Sequence, residues 1–354
     1  MTIHITEGQR AQGRPTVRRA ARASKLVAWY GARVNRIEPG GRDRSAPEVM
    51  SGPRKALAWM VTAQVLFTIM GVCTRLGAQR LPWSEVAAAR AVLGAVVAIV
   101  VARMRGAPLV IHDRRTAWAR SICGTVAMIC TFYTLGAPAI ALGDAVTLGA
   151  TSPIFIAILA PWLLGERSSR IVWVATMVAF AGVALVAGPS FRLSGRLSLV
   201  SLVGAVASAL AMIWLRRLGT GRSGTPRESP EAIVTHFSLV AGVTLSLVAL
   251  PTLRAPDLEG ALFLLGTGAS GAFAQIAMTR AYALDRAARV GVWSYLGVVL
   301  THFAAFGLLG ESEDPSGLAG SALVIAAGLG LTWSGLREAR TAAALASTPC
   351  QTGR

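Results

Sequence analysis

Long, nearly charge-free runs recur through this chain with its basic and acidic side chains gathered between them, and this pattern constrains the solvent more than any motif. Runs of roughly 18 to 24 residues suit a hydrocarbon core about 30 Å thick at a rise of about 1.5 Å per residue. In lipid, a backbone that satisfies its own hydrogen bonds within one segment must be helical. With 53% of residues apolar and 15% charged, the chain reads as an all-α integral membrane protein rather than a soluble domain. Ten spans are predicted, over 56–77, 83–102, 117–136, 141–164, 171–188, 197–215, 232–250, 260–282, 288–310 and 317–335.

A membrane hairpin occurs twice, ending first at Leu163-Leu164-Gly165-Glu166 and again at Leu308-Leu309-Gly310-Glu311. The following spans also match, Ala181-Gly182-Val183-Ala184-Leu185 against Ala327-Gly328-Leu329-Gly330-Leu331, one residue out of register because of a slip in the turn. Ten spans therefore divide into two halves of five, 56–188 and 189–337. Assigned alternately to two sides, the loops on the side of the N-terminus carry fourteen Lys and Arg near the helix ends, and the other side carries five. Both termini are then expected in the cytoplasm. An odd number of spans per half makes the second half an inverted copy of the first, and such repeats underlie alternating access in secondary transporters.

These residues resemble the drug/metabolite transporter superfamily and its EamA-type members. The resemblance covers roughly 56–337 and rests on Ala141-Leu142-Gly143-Asp144-Ala145, Thr151-Ser152-Pro153-Ile154-Phe155, Leu163-Leu164-Gly165-Glu166 and Phe180-Ala181-Gly182-Val183. The second half is similar at Thr279-Arg280-Ala281-Tyr282, Ala287-Ala288-Arg289-Val290 and Leu308-Leu309-Gly310-Glu311. It has Val298-Val299 in place of Pro153-Ile154, and so lacks the proline that would kink its helix. The resemblance implies two five-helix halves in inverted orientation and movement of a small organic metabolite or drug across the membrane, without ATP chemistry.

Polar residues within the spans fall at helical spacing. Gln64, Thr68, Gly71 and Arg75 share a face of the first span, and Thr267, Gly271, Gln275 and Thr279, with Tyr282 beyond, share one of the eighth. Asp144, Thr147 and Thr151 make a shorter stripe on the fourth, and Tyr295 and His302 lie seven apart on the ninth. Such stripes line a polar cavity, or else they pack helices closely and hydrogen-bond across the interface.

Charges inside spans cost about 2.5–3.5 kcal/mol on insertion scales and demand a reason. Arg90 stands about eight residues into the second span, roughly 12 Å from its outer end by the helical rise. Arg90 is expected to hold a carboxylate or carbonyl of the solute, and Asp144 an amine or a proton. Alternatively the two neutralise one another, or Asp144 only caps its helix. Glu166 and Glu311 stand in polar turns, where a boundary or loop-bonding role outweighs proton carriage. His302 is a candidate coupling group that could equally be hydrogen-bonded structure.

Trp59, Trp83, Trp118, Trp162, Trp173, Trp214 and Trp333 fall near helix ends, as interfacial anchors do. Tyr133, Trp293, Tyr295 and Tyr282 lie on the helices that the family resemblance puts around the cavity, where they either pack in the bundle, the favoured reading, or stack on a planar solute. Cys73, Cys123, Cys130 and Cys350 have no metal or redox spacing, no His-Glu-x-x-His or nucleophile elbow occurs, and no nucleotide motif follows a soluble strand. No cofactor, metal or catalytic residue is predicted.

Residues 1–55 hold twelve Lys or Arg and four acids, and read as a disordered cytoplasmic tail able to lie against anionic lipid. Met50-Ser51 would open a compact chain just before the first span. Residues 338–354 read as a loose cytoplasmic tail. The expected protein is a ten-helix, multi-pass secondary transporter of a bacterial-type inner membrane, monomeric or homodimeric, with a small-molecule solute and membrane lipid as partners and no nucleic acid. Export of an amino-acid-like or nucleoside-like metabolite is the leading reading. Uptake of a vitamin or adenosyl compound is the alternative, and a non-transporting receptor or intramembrane enzyme is the alternative of another class.

Overall fold

The structure is a computed structural model and describes residues 52–137, 149–166, 168–187, 195–221, 226–310 and 315–347. The predicted N-terminal tail lies outside the described residues up to Ser51. All regular elements among those described are helical. They are α1 (Gly52–Ala78), α2 (Trp83–Arg105), α3 (Arg114–Leu135), α4 (Ser152–Leu164), α5 (Arg170–Ala187), α6 (Gly195–Thr220), α7 (Pro230–Ala249), α8 (Leu258–Leu284), α9 (Ala287–Trp293), α10 (Leu296–Leu309) and α11 (Pro315–Ser347), with a short 3-10 turn at Leu250–Thr252.

Six stretches are long and apolar enough to cross a membrane: α1, α2, 199–220 within α6, α7 with its following turn, α8, and 287–308 across α9 and α10. Shorter apolar helices run over 152–164, 170–185 and 318–331. At 22 residues α3 has the length but not the composition, because Arg114, Arg115, Arg120 and several Ser and Thr interrupt it. Val96, Val243 and Leu247 on α2 and α7, like Trp162 and Trp333, are exposed, so the bundle presents apolar side chains outward as lipid requires. The protein is a multi-pass membrane protein.

Helix limits follow from local chemistry. Asp113, Ser229 and Asp257 accept from backbone N–H groups of Thr116, Ala232 and Gly260 at 3.1, 3.1 and 2.8 Å, and so start α3, α7 and α8. The repeated Leu-Leu-Gly-Glu acquires a physical meaning at the other end. Gly165 (φ 70°) and Gly310 (φ 68°) stop α4 and α10 in the left-handed conformation that favours glycine. Past the expected end of the tenth span, α11 continues to Ser347 through the stretch read as a loose tail, because Ala339 and Thr341–Ala346 form an alanine-rich, proline-free run.

Small residues set the packing. Ala87, Ala91, Gly94, Ala98 and Ala102 give α2 a narrow buried face, which meets Ser238, Ala241 and Gly242 of α7. Gly182 of α5 lies so close to α11 that a Cβ there would stand 2.6 Å from the Gly320 carbonyl. The most extensive pairings are α1 with α8, α2 with α7, α3 with α6 and α5 with α11.

Two helices are discontinuous. Gly149 is helical, Ala150–Thr151 form a turn, and α4 then begins with Pro153 in its first turn. Ser294–Tyr295 separate α9 from α10 in the same way, without a proline. Here the Ser294 hydroxyl donates to the Gly291 carbonyl at 2.6 Å, and short i to i+3 backbone bonds bridge the turn.

Candidate functional site

A central cavity of about 310 Å³, near the small end of the usual range for ligand sites, is walled by α1, α2, α3, α4, α6, α7, α8, Ser294 in the α9–α10 break and α10. The α1 stripe turns Gln64, Thr68 and Gly71 to it. Gln64 fits because residue 297 is glycine: a Cβ there would stand 2.3 Å from its Oε1. The Thr68 hydroxyl lies 3.4 Å from that of Thr301, joining α1 to α10. Arg75 lies outside the cavity wall and donates to the Leu135 and Ala137 carbonyls at 3.2 and 3.1 Å, satisfying the end of α3.

Arg90 reaches the cavity from α2. Its Nη2 donates to Gln275 Oε1 at 3.3 Å, and Nη1 lies 3.4 Å from Met128 Sδ. Gly271 provides the room, since a Cβ there would stand 3.1 Å from Arg90 Nε. Asp144 and Thr147 lie outside the described residues, and so does the predicted Arg90–Asp144 pair.

Arg120, the fourth residue of the span predicted over 117–136 and one of the fourteen basic residues near helix ends, is 1% exposed in the second turn of α3 and lines the cavity. The helix begins at Arg114, so the side chain points inward rather than to a headgroup; the bias of basic residues between the two sides survives its removal. Its guanidinium carbon lies 4.1 Å from the centre of the Phe237 ring, and that of Arg90 lies 5.6 Å from the same centre. Gly124, one turn along α3, leaves the space: a Cβ would stand 2.3 Å from Arg120 Nη1 and 2.8 Å from the Phe237 ring. Among the described residues the wall holds these two guanidiniums and no carboxylate.

The α8 stripe divides. Gln275 and Tyr282 face the cavity, whereas Thr267 and Thr279 are fully buried between helices, Thr279 donating back to the Gln275 carbonyl at 2.7 Å. Tyr295 and His302 do not line the cavity. Tyr295 is buried in the break itself, and His302 meets Phe303 edge-on at 6.4 Å between ring centres. Tyr295 belongs to the turn that precedes α10, and the face its spacing shares with His302 is not the cavity face, which α10 presents through Gly297, Val298 and Thr301. Phe237, Ser152, Ser201, Ser208 and Ser294 line the wall without having been singled out. Of these only Ser201 and Ser208, seven apart on α6, gave a helical-spacing signal.

At one end of the bundle Glu166 accepts from Arg216 Nε at 2.9 Å and from the Ala287 backbone N–H at 3.0 Å, and Arg216 Nη1 also donates to the Tyr282 and Ala283 carbonyls. Glu166 is thus a loop-bonding residue.

Residues 54–188 match the EamA-like transporter family. A pseudopaline exporter of Pseudomonas aeruginosa is 28% identical over 280 residues, covering 77% of this chain and 94% of the exporter. Residues 54–188 are thus an EamA-like transporter unit. A riboflavin transporter of Vibrio cholerae, 24% identical over 281 residues, covers 77% of this chain and 91% of its own. A solved crystal structure shares the fold at a TM-score of 0.67 and 19% identity, covering 80% of this chain and 98% of that one. Like these relatives, the protein is a transporter of small molecules.

Proposed function

We propose that this protein moves a small amphipathic organic solute across the inner membrane by alternating access, with the central cavity as the solute site. The observation that carries this reading is the cavity's position against two helices that break at corresponding points, Ala150–Thr151 and Ser294–Tyr295. Interrupted helices recur at solute sites near the membrane midplane, where inverted repeats meet. Counting α9 with α10, and α4 with the segment before it, gives ten spans in two halves, 56–188 and 189–337. Advancing each span by five exchanges the α1–α8 pairing with α6–α3 and maps α2–α7 and α5–α11 onto themselves. That correspondence supports an inverted repeat, and the basic bias of the loops supports cytoplasmic termini.

In this reading Gln64, Thr68, Arg90, Gln275 and Tyr282 contact the solute, with Asp144 and Thr147 joining from the segment before α4. Export is the favoured direction, supported by the likeness to the pseudopaline exporter across nearly its whole length. Uptake, as in the riboflavin relative, is the second reading. Counterflow in proteoliposomes tests the proposal: labelled amino acids, nucleosides or vitamins should accumulate only in vesicles preloaded with the same compound. A folded protein that binds a solute but exchanges none would be a receptor, and the transport reading would fail.

A further inference from the structure

Resting on that reading of the cavity, we infer that the solute is an oxyanion, a carboxylate above all, gripped by Arg120 and Arg90 where they converge on Phe237. Arginine stays protonated in proteins, so neither side chain escapes burial by giving up its charge. Arg90 is 5% exposed and Arg120 1% exposed, and both guanidinium carbons lie within 5.6 Å of one ring centre. Two desolvated like charges so placed are costly unless a counter-charge joins them.

The described carboxylates are engaged elsewhere. Glu166 and Glu231 hold Arg216 and Arg280, Glu228 takes the backbone N–H groups of His112 and Asp113, and Glu85 takes that of Arg254. The spare hydrogen-bonding capacity around the two arginines has one sign. Arg120 Nε and Nη1, Arg90 Nε and Gln275 Nε2 are buried donors with no partner among the described residues. A guanidinium has no acceptor to offer, so its complement is an acceptor carrying negative charge, and its planar fork matches a carboxylate's two oxygens. The face of Phe237 supports their charge, and Gly124 and Gly271 leave the space into which the side chains fold. Gln64, Thr68 and Tyr282 would meet the rest of the solute.

The test measures binding directly, apart from transport. Purified full-length protein is titrated by thermal shift and equilibrium binding with glutarate, aspartate and citrate, with inorganic phosphate and glycerol 3-phosphate, and with glutaramide and cadaverine as neutral and cationic counterparts of glutarate. Saturable stabilisation by oxyanions, none by glutaramide or cadaverine, and at least a tenfold loss of oxyanion affinity in Arg120→Gln are expected. Arg120→Lys, which keeps the charge without the fork, should fall between and serves if Arg120→Gln does not fold. Preference for carboxylates over phosphates assigns the source, and the reverse preference upholds the oxyanion grip with phosphate in its place. Binding of glutaramide or cadaverine with every oxyanion excluded, oxyanion affinity unchanged in both Arg120 variants, or no binding by any compound to cooperatively melting protein overturns the inference. Counterflow of neutral or cationic solutes alone would leave transport standing and sink the inference. Oxyanion binding lost in Arg120→Gln, with no exchange of any solute, would do the reverse.

Discussion

Arg216 and Glu166 are joined at 2.9 Å, and each keeps a second obligation that the other cannot fulfil. Glu166 also accepts from the Ala287 N–H at the start of α9, and Arg216 also donates to the two carbonyls that end α8. Exchanging the charges leaves donors facing a donor and acceptors facing acceptors. Glu166→Ala should therefore lower stability by about 2 kcal/mol, below the 3–5 of a fully buried pair because these side chains are 21% and 13% exposed. The swap Glu166→Arg with Arg216→Glu should not restore it. Thermal unfolding in detergent measures both, and recovery in the swap would reduce the site to a simple ion pair.

Gly297→Ala should push Gln64 out of its place, since the new Cβ would stand 2.3 Å from Oε1. Overpacking of this kind costs about 1–3 kcal/mol. Gly297→Ala combined with Gln64→Ala should regain most of the melting temperature but not the exchange rate, because the carboxamide faces the cavity.

Gln275→Glu places a carboxylate where an amide oxygen now meets Arg90 at 3.3 Å. The melting temperature should rise, and oxyanion binding should fall by at least tenfold as the internal acid replaces the external one. Higher oxyanion affinity in this variant would contradict the role given to Arg90.

The alternative that Arg90 merely pairs with Asp144 has its own outcome. Arg90→Asp with Asp144→Arg would recover the exchange lost in either single variant if the two only neutralised one another. With Arg90 serving the solute beside Arg120, exchange should stay below a tenth of the native rate in proteoliposomes.

Cys130 lines the cavity, whereas Cys73 and Cys123 do not. In a background of Cys73→Ala, Cys123→Ala and Cys350→Ala, a sulfonate-bearing thiosulfonate reagent should label Cys130 faster than a trimethylammonium one of similar size. The two arginines enrich anions in a confined, low-dielectric space. Mass spectrometry of the labelled protein gives the ratio, and a faster cationic reagent would argue that the cavity is not positive.

Some of this was legible in the sequence for identifiable reasons. The stripe of Gln64, Thr68 and Gly71 lies on an unbroken helix, so spacing alone placed its face. Arg90 betrayed itself by depth. Arg120 did not, because as the fourth residue of the span predicted over 117–136 its long side chain reads as reaching back to the headgroups, whereas the helix starts earlier, at Arg114. Phe237 sent no signal, since one aromatic among apolar residues looks like core until two arginines are seen beside it. Tyr295 and His302 lie off the cavity because spacing tells which residues share a face and not what that face meets, and α10 turns Gly297, Val298 and Thr301 to the cavity instead.

The guanidinium pair also makes the empty and the loaded protein different electrical objects. A loaded cavity closes around compensated charge and can pass through the occluded stage with little penalty. An empty one must make its return stroke with two bare cations out of water, across a field worth about 2.3 kcal/mol per charge per 100 mV. The slow step of the cycle then belongs to the vacant carrier, so swapping one solute molecule for another outpaces one-way flux. Flux in either direction would then follow the supply of a negatively charged solute on the opposite side.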